Sequence, residues 1–566
     1  MVLTFLSALL LILSFPKFSF WPLAWFSLVP IFYGARRQTK WTTTFFYFYL
    51  FGFLFFLASV EWLRHVAYFG WIFVATAYAL YFGLFGLAVH WLWRRNHFFL
   101  SLFVLPSLWC VLEWIRAEIP VWGFGWNLLA YSQAFNPTIA GIGSLIGGYG
   151  LSWLIVFANL AIFFILDFEL NHKTSKGVNA LVGVISLALI FGIYFTYEFK
   201  QVASAPIPAA RQELKAAVIQ GNIPQEQKWD PTYKFPIIQT HEQLTTLIAG
   251  KGKDKADLIL WPEAAYPGFF NVDPDRKRIS DLARQLETSI LLGGLHYIRD
   301  DSDHGHYFNS AYLVTPEDAE PERYDKVRLV SFGEYVPWRK FFGLFGLERL
   351  AYSLGVSDFE AGKEIKIFAL DSSVIASAMP AGRQEAKQSQ DSEIASPDRP
   401  SGTGNPSGRP PLDQPASALW PPRNDELGKK FSVLICFEDT FPYLARQAVR
   451  DGAQFLVVLT NDAWFSHSAA PYQHLQASIF RAIENGVPLI RAANTGVSAI
   501  ITREGIILDR VKDPAGHDTF IAGGILGSVP LISDRTFYQK HGYQFPTFCL
   551  LFVIVGFILG MRIKHD

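Results

Sequence analysis

The chain has 566 residues, of which 51% are hydrophobic, 16% aromatic and only 17% charged. So few charges over such a length exclude an ordinary soluble protein and imply a large membrane-embedded share. The 49 basic and 49 acidic side chains cancel, which leaves no electrostatic basis for binding a nucleic acid.

In chain order, apolar runs at 2–15, 18–35, 42–62, 69–93, 98–115, 149–167 and 178–197 predict seven membrane spans within residues 1–197. Most approach the length that crosses a hydrocarbon core of roughly 30 Å, and the first is short. It has neither the basic flank nor the small-x-small site of a cleavable signal peptide. An eighth span is predicted over 544–561, so that 544–566 forms the last transmembrane helix and a tail. With the amino terminus inside, the inner loops and tail hold Arg36, Arg37, Lys40, Arg94, Arg95, Lys173, Lys176, Arg562 and Lys564, against Lys17, Arg64 and Arg116 outside. That asymmetry follows the positive-inside rule and puts residues 198–543 on the outer side. Glu61 and Glu113 fall near span ends, where interface capping accounts for them.

Residues 198–543 have a different texture. ELKAAVIQGN, ADLILWPE, SILLGGLHY, SAYLVTP, KFSVLICFED and QFLVVLTND read as buried strands. RKRISDLARQLE, TFPYLARQAVRDG and PYQHLQASIFRAIENG read as helices between them, which predicts a layered α/β domain. Residues 377–429, rich in Pro, Ser, Gly and charge, have no apolar period and are expected to be a disordered insertion in a surface loop.

Three residues stand at strand ends: Glu263 in WPEAAYP, Lys326 in RYDKVRLVSFGEYVP and Cys436 in ICFEDTFP. Singly they read as a solvated carboxylate, a surface ion pair and a packed thiol. Together they supply a base, an electrophile and a nucleophile for acyl transfer without a metal or organic cofactor. The other two cysteines, Cys110 and Cys549, lie in apolar runs, so no disulfide scheme or metal cluster can be built from the set. His304 and His306, in DDSDHGHY, read as a solvated loop rather than a metal site. GGYG and GFGW lack the strand and helix context of a nucleotide site.

IQGNIPQEQKW, WPEAAYP, YFNSAYL, YDKVRLVSFGEYVP, ICFEDTFP, TNDAWF and RAIENGVPLIRAANTG make residues 214–527 resemble the carbon–nitrogen hydrolase (nitrilase) superfamily. With EWIRAEIPVWGFGWNLLAYSQ and GGYGLSWL in the membrane part, the whole chain resembles the apolipoprotein N-acyltransferase family. The resemblance implies an α-helical transmembrane bundle joined to an α-β-β-α sandwich, with Glu263 as base, Lys326 as electrostatic stabiliser and Cys436 as acylated nucleophile. It implies supporting roles for Glu334, Trp229 and Glu438, with Glu334 orienting Lys326 or the incoming amine. Phe437 departs from the tyrosine that the family often has after the nucleophile.

The implied reaction moves an acyl chain from a phospholipid, phosphatidylethanolamine by family expectation, to the α-amine of a lipoprotein's S-diacylglyceryl cysteine. The implied place is the bacterial inner membrane, with the catalytic domain in the periplasm. Both substrates are anchored in the bilayer, so the site is expected at its surface. WRKFFGLFGLERLAYSLG (338–355) then reads either as a buried amphipathic helix or as a lid dipping into the interface, and 464–474 as a weaker second lid. The sequence leaves two rivals: a membrane-anchored nitrilase-type amidase, and a transporter or non-catalytic membrane scaffold.

Overall fold

The computed structural model describes residues 1–119, 123–170, 192, 212–317, 320–335, 358–370, 428–531 and 535–562. The predicted span at 178–197, the candidate lid at 338–355 and nearly all of the insertion at 377–429 lie outside the described residues. The backbone divides into a large unit, Met1–Phe368 with Phe431–Asp566, and a small one, Ala369–Lys430. The first holds both the membrane helices and the catalytic layers.

Among the described residues five helices are long and apolar enough to cross a membrane: Trp41–Ser59, Tyr68–Arg94, Leu100–Glu118, Gly143–Asp167 and Gln544–Arg562. The helix expected first is Val2–Leu13, only 12 residues. The run at 18–35 differs from expectation, being split into a 3-10 turn, Trp21–Trp25, and a short helix, Val29–Arg36. Pro22 and Pro30 each sit in the first turn of their element, because proline has no N–H to give to a continuing helix. Trp41–Ser59 and Tyr68–Arg94 pack as a hairpin in which Gly52 and Gly86 meet the rings of Phe82 and Phe48. A Cβ at these glycines would stand 2.5 and 2.7 Å from those side chains.

The α/β region contains two six-stranded sheets. In chain order the strands are β1 Gln212–Gln220, β2 Leu258–Leu260, β3 Ser289–Arg299, β4 Gly305–Val314, β5 Glu322–Asp325 and β6 Ile367–Leu370. They continue with β7 Lys429–Ile435, β8 Phe455–Thr460, β9 Leu489–Ala493, β10 Ala499–Ile501, β11 Ile507–Arg510 and β12 Gly523–Leu531. One sheet runs β12-β1-β2-β3-β4-β5 and the other β11-β10-β9-β8-β7-β6. The parallel runs β1-β2-β3 and β7-β8-β9 are the strands with near-continuous apolar sequence, as burial on both faces requires. Helices Lys234–Ile248 and Lys277–Leu286 cover the first sheet, where Ile238, Ile279 and Leu282 join Ile259, Trp261 and Leu292 in one core. Helices Pro442–Arg450 and Ala470–Asn485 cover the second through Leu444, Ala448 and Phe480 against Leu434, Leu456 and Val458. The same apolar core continues into the bundle through Leu129, Trp126, Trp109, Phe85 and Phe32. Together the elements form a nitrilase-like α-β-β-α sandwich joined to a helical membrane bundle.

Candidate active site

Each of the three strand-end residues sits where a strand stops and the backbone turns. Glu263 is the third residue after β2, Lys326 follows β5 directly, and Cys436 follows β7 directly. Cys436 has φ of 52°, in the left-handed region that non-glycine residues rarely adopt. Such a turn presents the side chain of the residue that follows the strand away from the sheet. Ala264, next to Glu263, has φ of 46°. Here the Gly293 position on β3 is filled by the turn itself: a Cβ on Gly293 would lie 2.5 Å from the Ala264 nitrogen and 2.6 Å from the Glu263 Cα.

Lys326 is buried, with its Nζ 2.9 Å from Glu334 Oε1 and 3.7 Å from Glu263 Oε1. Asn309, on β4, bridges the two carboxylates by donating from Nδ2 to Glu263 Oε1 at 2.8 Å and to Glu334 Oε1 at 2.9 Å. The backbone N–H of Val330 donates to Glu334 Oε2 at 2.8 Å, which fixes that carboxylate's far side. Lys228 donates from Nζ to the Glu263 carbonyl at 2.9 Å, so a second buried ammonium flanks the glutamate.

The charges act on one another. Burial disfavours the Lys326 ammonium, yet Glu334 and Glu263 outweigh it and hold the amine well above the ordinary lysine value. Burial pushes the Cys436 thiol well above its usual value, Glu263 adds to this and Lys326 opposes it. Burial lowers Lys228 to about 8 against the pull of Glu263 and Cys436. The resting state these shifts describe has a protonated sulfur beside a fixed ammonium, with the Glu263 side chain next to both. In that state the proton has an acceptor at hand, and negative charge forming near Lys326 is stabilised without rearrangement.

The supporting residues divide. Glu334 joins the cluster as described. Glu438 is wholly buried and accepts from the N–H of Val327 at 2.7 Å, of Arg328 at 3.0 Å and of Ile435 at 2.7 Å, with Tyr324 Oη at 2.9 Å. It ties the turn after Lys326 to the last residue before Cys436. Burial pushes its carboxyl up to about 7, although the Ile435 N–H and Lys326 favour the anion. Trp229 is 46% exposed and lines an open groove of about 340 Å³ with Lys228, Phe269 and Val272. It stands at the rim beside the cluster. Phe437 packs edge-on against Phe441, ring centroids 4.9 Å apart.

Segment 464–474 is tied down rather than free, since Phe465 packs on Trp62 at 4.5 Å and His474 is buried. His306 contacts Asp300 and Glu360 on the surface. Asn309 and Lys228 were missed in the sequence, though both lie in stretches already singled out, YFNSAYL and QEQKW. A mid-strand asparagine facing a predicted base was the available signal for the first.

Comparison with known proteins places these features in a lineage. Residues 7–161 match the apolipoprotein N-acyltransferase N-terminal domain, and residues 215–522 match the carbon–nitrogen hydrolase family. An apolipoprotein N-acyltransferase of Geobacter metallireducens is 32% identical over 99% of this chain and 95% of its own length. The Haemophilus influenzae protein of the same name is 29% identical over 90% of this chain and 85% of its own. Among solved structures, a mutant of the Nesterenkonia AN1 amidase from the nitrilase superfamily is similar over 60% of this chain and 97% of its own. Its identity is 17% and its TM-score 0.35. With both domains matched in order and a relative aligned from end to end, the chain belongs to the apolipoprotein N-acyltransferase family.

Proposed function

We propose that this protein is a phospholipid:apolipoprotein N-acyltransferase acting through a Cys436 thioester, with residues 198–543 as its catalytic domain. The observation that carries this reading is the convergence on the Cys436 thiol of Glu263 and the Lys326 ammonium, at strand ends and continuous with a membrane bundle. Glu263 takes the thiol proton, and the thiolate attacks the ester carbonyl of a phospholipid. The tetrahedral oxyanion forms beside Lys326. It collapses by breaking the C–O bond, the lysophospholipid leaves with the proton from Glu263, and the acyl group remains on sulfur. The lipoprotein α-amine then attacks the thioester. Glu263 accepts the amine proton and returns it to the departing sulfur, which leaves an amide on the lipoprotein and a free Cys436. Glu334 and Asn309 keep Lys326 and Glu263 aligned through both halves.

Membership of the family and the five long apolar helices support a membrane enzyme, and the distribution of basic loop residues supports a bacterial inner-membrane location with the catalytic domain in the periplasm. Phosphatidylethanolamine as donor and a diacylglyceryl lipoprotein as acceptor belong to this reading.

Purified protein incubated with phospholipid carrying a labelled acyl chain is expected to release lysophospholipid and to retain label that hydroxylamine removes. Cys436→Ser is expected to retain none, and Glu263→Gln to form label about 100-fold more slowly or worse. Label on the Cys436→Ser protein would remove the nucleophile from this scheme. Ammonia release from small amides, without lysophospholipid, would favour the amidase instead.

A further inference from the structure

Behind the sulfur lies a buried charge cluster that the scheme above does not use. His474, on the Ala470–Asn485 helix, is wholly buried. Its Nδ1 is 2.9 Å from Asp462 Oδ1, and its Nε2 is 2.9 Å from Asp439 Oδ1 and 3.2 Å from the Cys436 carbonyl oxygen. Asp462 and the Cys436 carbonyl both accept, one from each ring nitrogen, so both nitrogens carry hydrogen and the side chain is an imidazolium in ion-pair contact with Asp439. Arg491, on β9, spans the same two carboxylates, 3.1 Å from Asp439 Oδ2 and 3.1 Å from Asp462 Oδ2. Ser478 donates to Asp439 Oδ2 at 2.5 Å, and Thr460 to Asp462 Oδ1 at 3.2 Å. Two cations therefore face two anions, all four side chains fully buried.

We propose that His474 is a positioning residue for the acyl transfer: it grips the turn bearing Cys436 and neutralises the carboxylate charge behind the sulfur. The proposal rests on Cys436 being the nucleophile.

Two features bind this cluster to the chemistry. The first is the backbone. A left-handed Cys436 persists only where its surroundings over-determine it, and His474 holds the turn Cys436–Thr440 at two points, the Cys436 carbonyl and Asp439. It joins that turn to the one after β8 through Asp462. The His474 ring meets Trp126 of the membrane part at 5.1 Å, and Trp126 meets Trp62 at 4.8 Å. Trp62 in turn donates to Gln473, the neighbour of His474, at 2.9 Å.

The second feature is charge. Asp462 works against ionisation of Cys436, alongside burial and Glu263. With His474 neutral, two carboxylates would face one guanidinium, and the anionic excess would oppose a thiolate. The two carboxylates hold the imidazolium charged up to about 9, against burial and the Arg491 guanidinium, so the balance lasts through neutral pH.

The test uses the full-length protein in detergent and follows alkylation of Cys436 by iodoacetamide against pH, read by mass spectrometry on the Cys436 peptide. In His474→Gln the midpoint is expected to rise by about one unit, a tenfold loss of thiolate at fixed pH, with a matching fall in the rate of acyl labelling. In Asp462→Asn, which removes an opposing charge, the midpoint is expected to fall. A purely structural cluster would displace both variants in the same direction or neither, and either result overturns the proposal, as does failure of both to fold. Should one variant not fold, the sign of the other's displacement decides. Alkylation requires neither lipid nor lipoprotein, so the outcome is independent of the substrates. An unreactive Cys436 in the wild type would instead refute the nucleophile itself.

Discussion

At the scale of single residues, the cluster is held by a side chain with no charge of its own. Asn309 spends one nitrogen on two carboxylates and so keeps both aimed at Lys326. Hydrogen bonds to charged groups are each worth about 1.5–3 kcal/mol. Asn309→Ala is therefore expected to slow formation of the acyl-enzyme about 10- to 100-fold while leaving phospholipid affinity nearly unchanged. Asn309→Asp, which places a third carboxylate in the cluster, is expected to be worse. Single-turnover labelling with an acyl-labelled phospholipid checks both. Glu263 and Cys436 stood out in the sequence because each follows an apolar run, where an α/β sheet exposes reactive groups, whereas Lys326 follows the polar stretch ERYD and stood out through its motif, RYDKVRLVSFGEYVP. Asn309 did not, because its meaning comes from partners 46 and 25 residues away. His474 was hidden for a similar reason: on a helix it reads as one more polar position, and only the fold puts two aspartates and a carbonyl around it.

At the scale of elements, the active-site turns depend on strands approaching closely. Gly293 on β3 leaves room for the Glu263 backbone, and an added methyl would meet fixed backbone rather than a mobile side chain. Gly293→Ala is expected to destabilise the protein by about 1–3 kcal/mol and to lower acyl-enzyme formation at least tenfold by moving Glu263. Thermal unfolding and labelling of the same sample separate the two effects. The β1, β2, β3, β7 and β8 strands and the three quoted helices follow the apolar pattern of the sequence. Strands β10 and β11 are three and four residues long, too short for a period to register, and they form in the antiparallel meander from β9. In the membrane part hydropathy marks apolar chain without marking its breaks. Residues 18–35 are apolar throughout and still divide at their prolines. Gly147 likewise interrupts the Gly143–Leu170 helix, with φ of 70°, and the freed N–H of Gly148 donates to Glu484 of the catalytic layers at 2.8 Å.

At the scale of the whole molecule, bundle and catalytic layers share one core. Trp62, Trp126 and Leu129 of the membrane part pack in the same cluster as Leu475, Phe480 and Ile483 of the Ala470–Asn485 helix. Gln473 on that helix also donates to the Ser59 carbonyl at 2.7 Å. A fragment of residues 212–531 would bare this helix face to water and is expected to aggregate, whereas the full chain in detergent stays monodisperse on gel filtration. The catalytic layers are themselves inserted between earlier membrane helices and the Gln544–Arg562 helix. Their first strand lies against their last, with Gln212 opposite Leu531 in the β1–β12 pairing. During synthesis, β1 therefore leaves the ribosome long before the neighbour that completes its hydrogen bonds. One flank of the first sheet must wait as an open edge until almost the entire polypeptide is made, a delay in which chaperones have their opportunity to act.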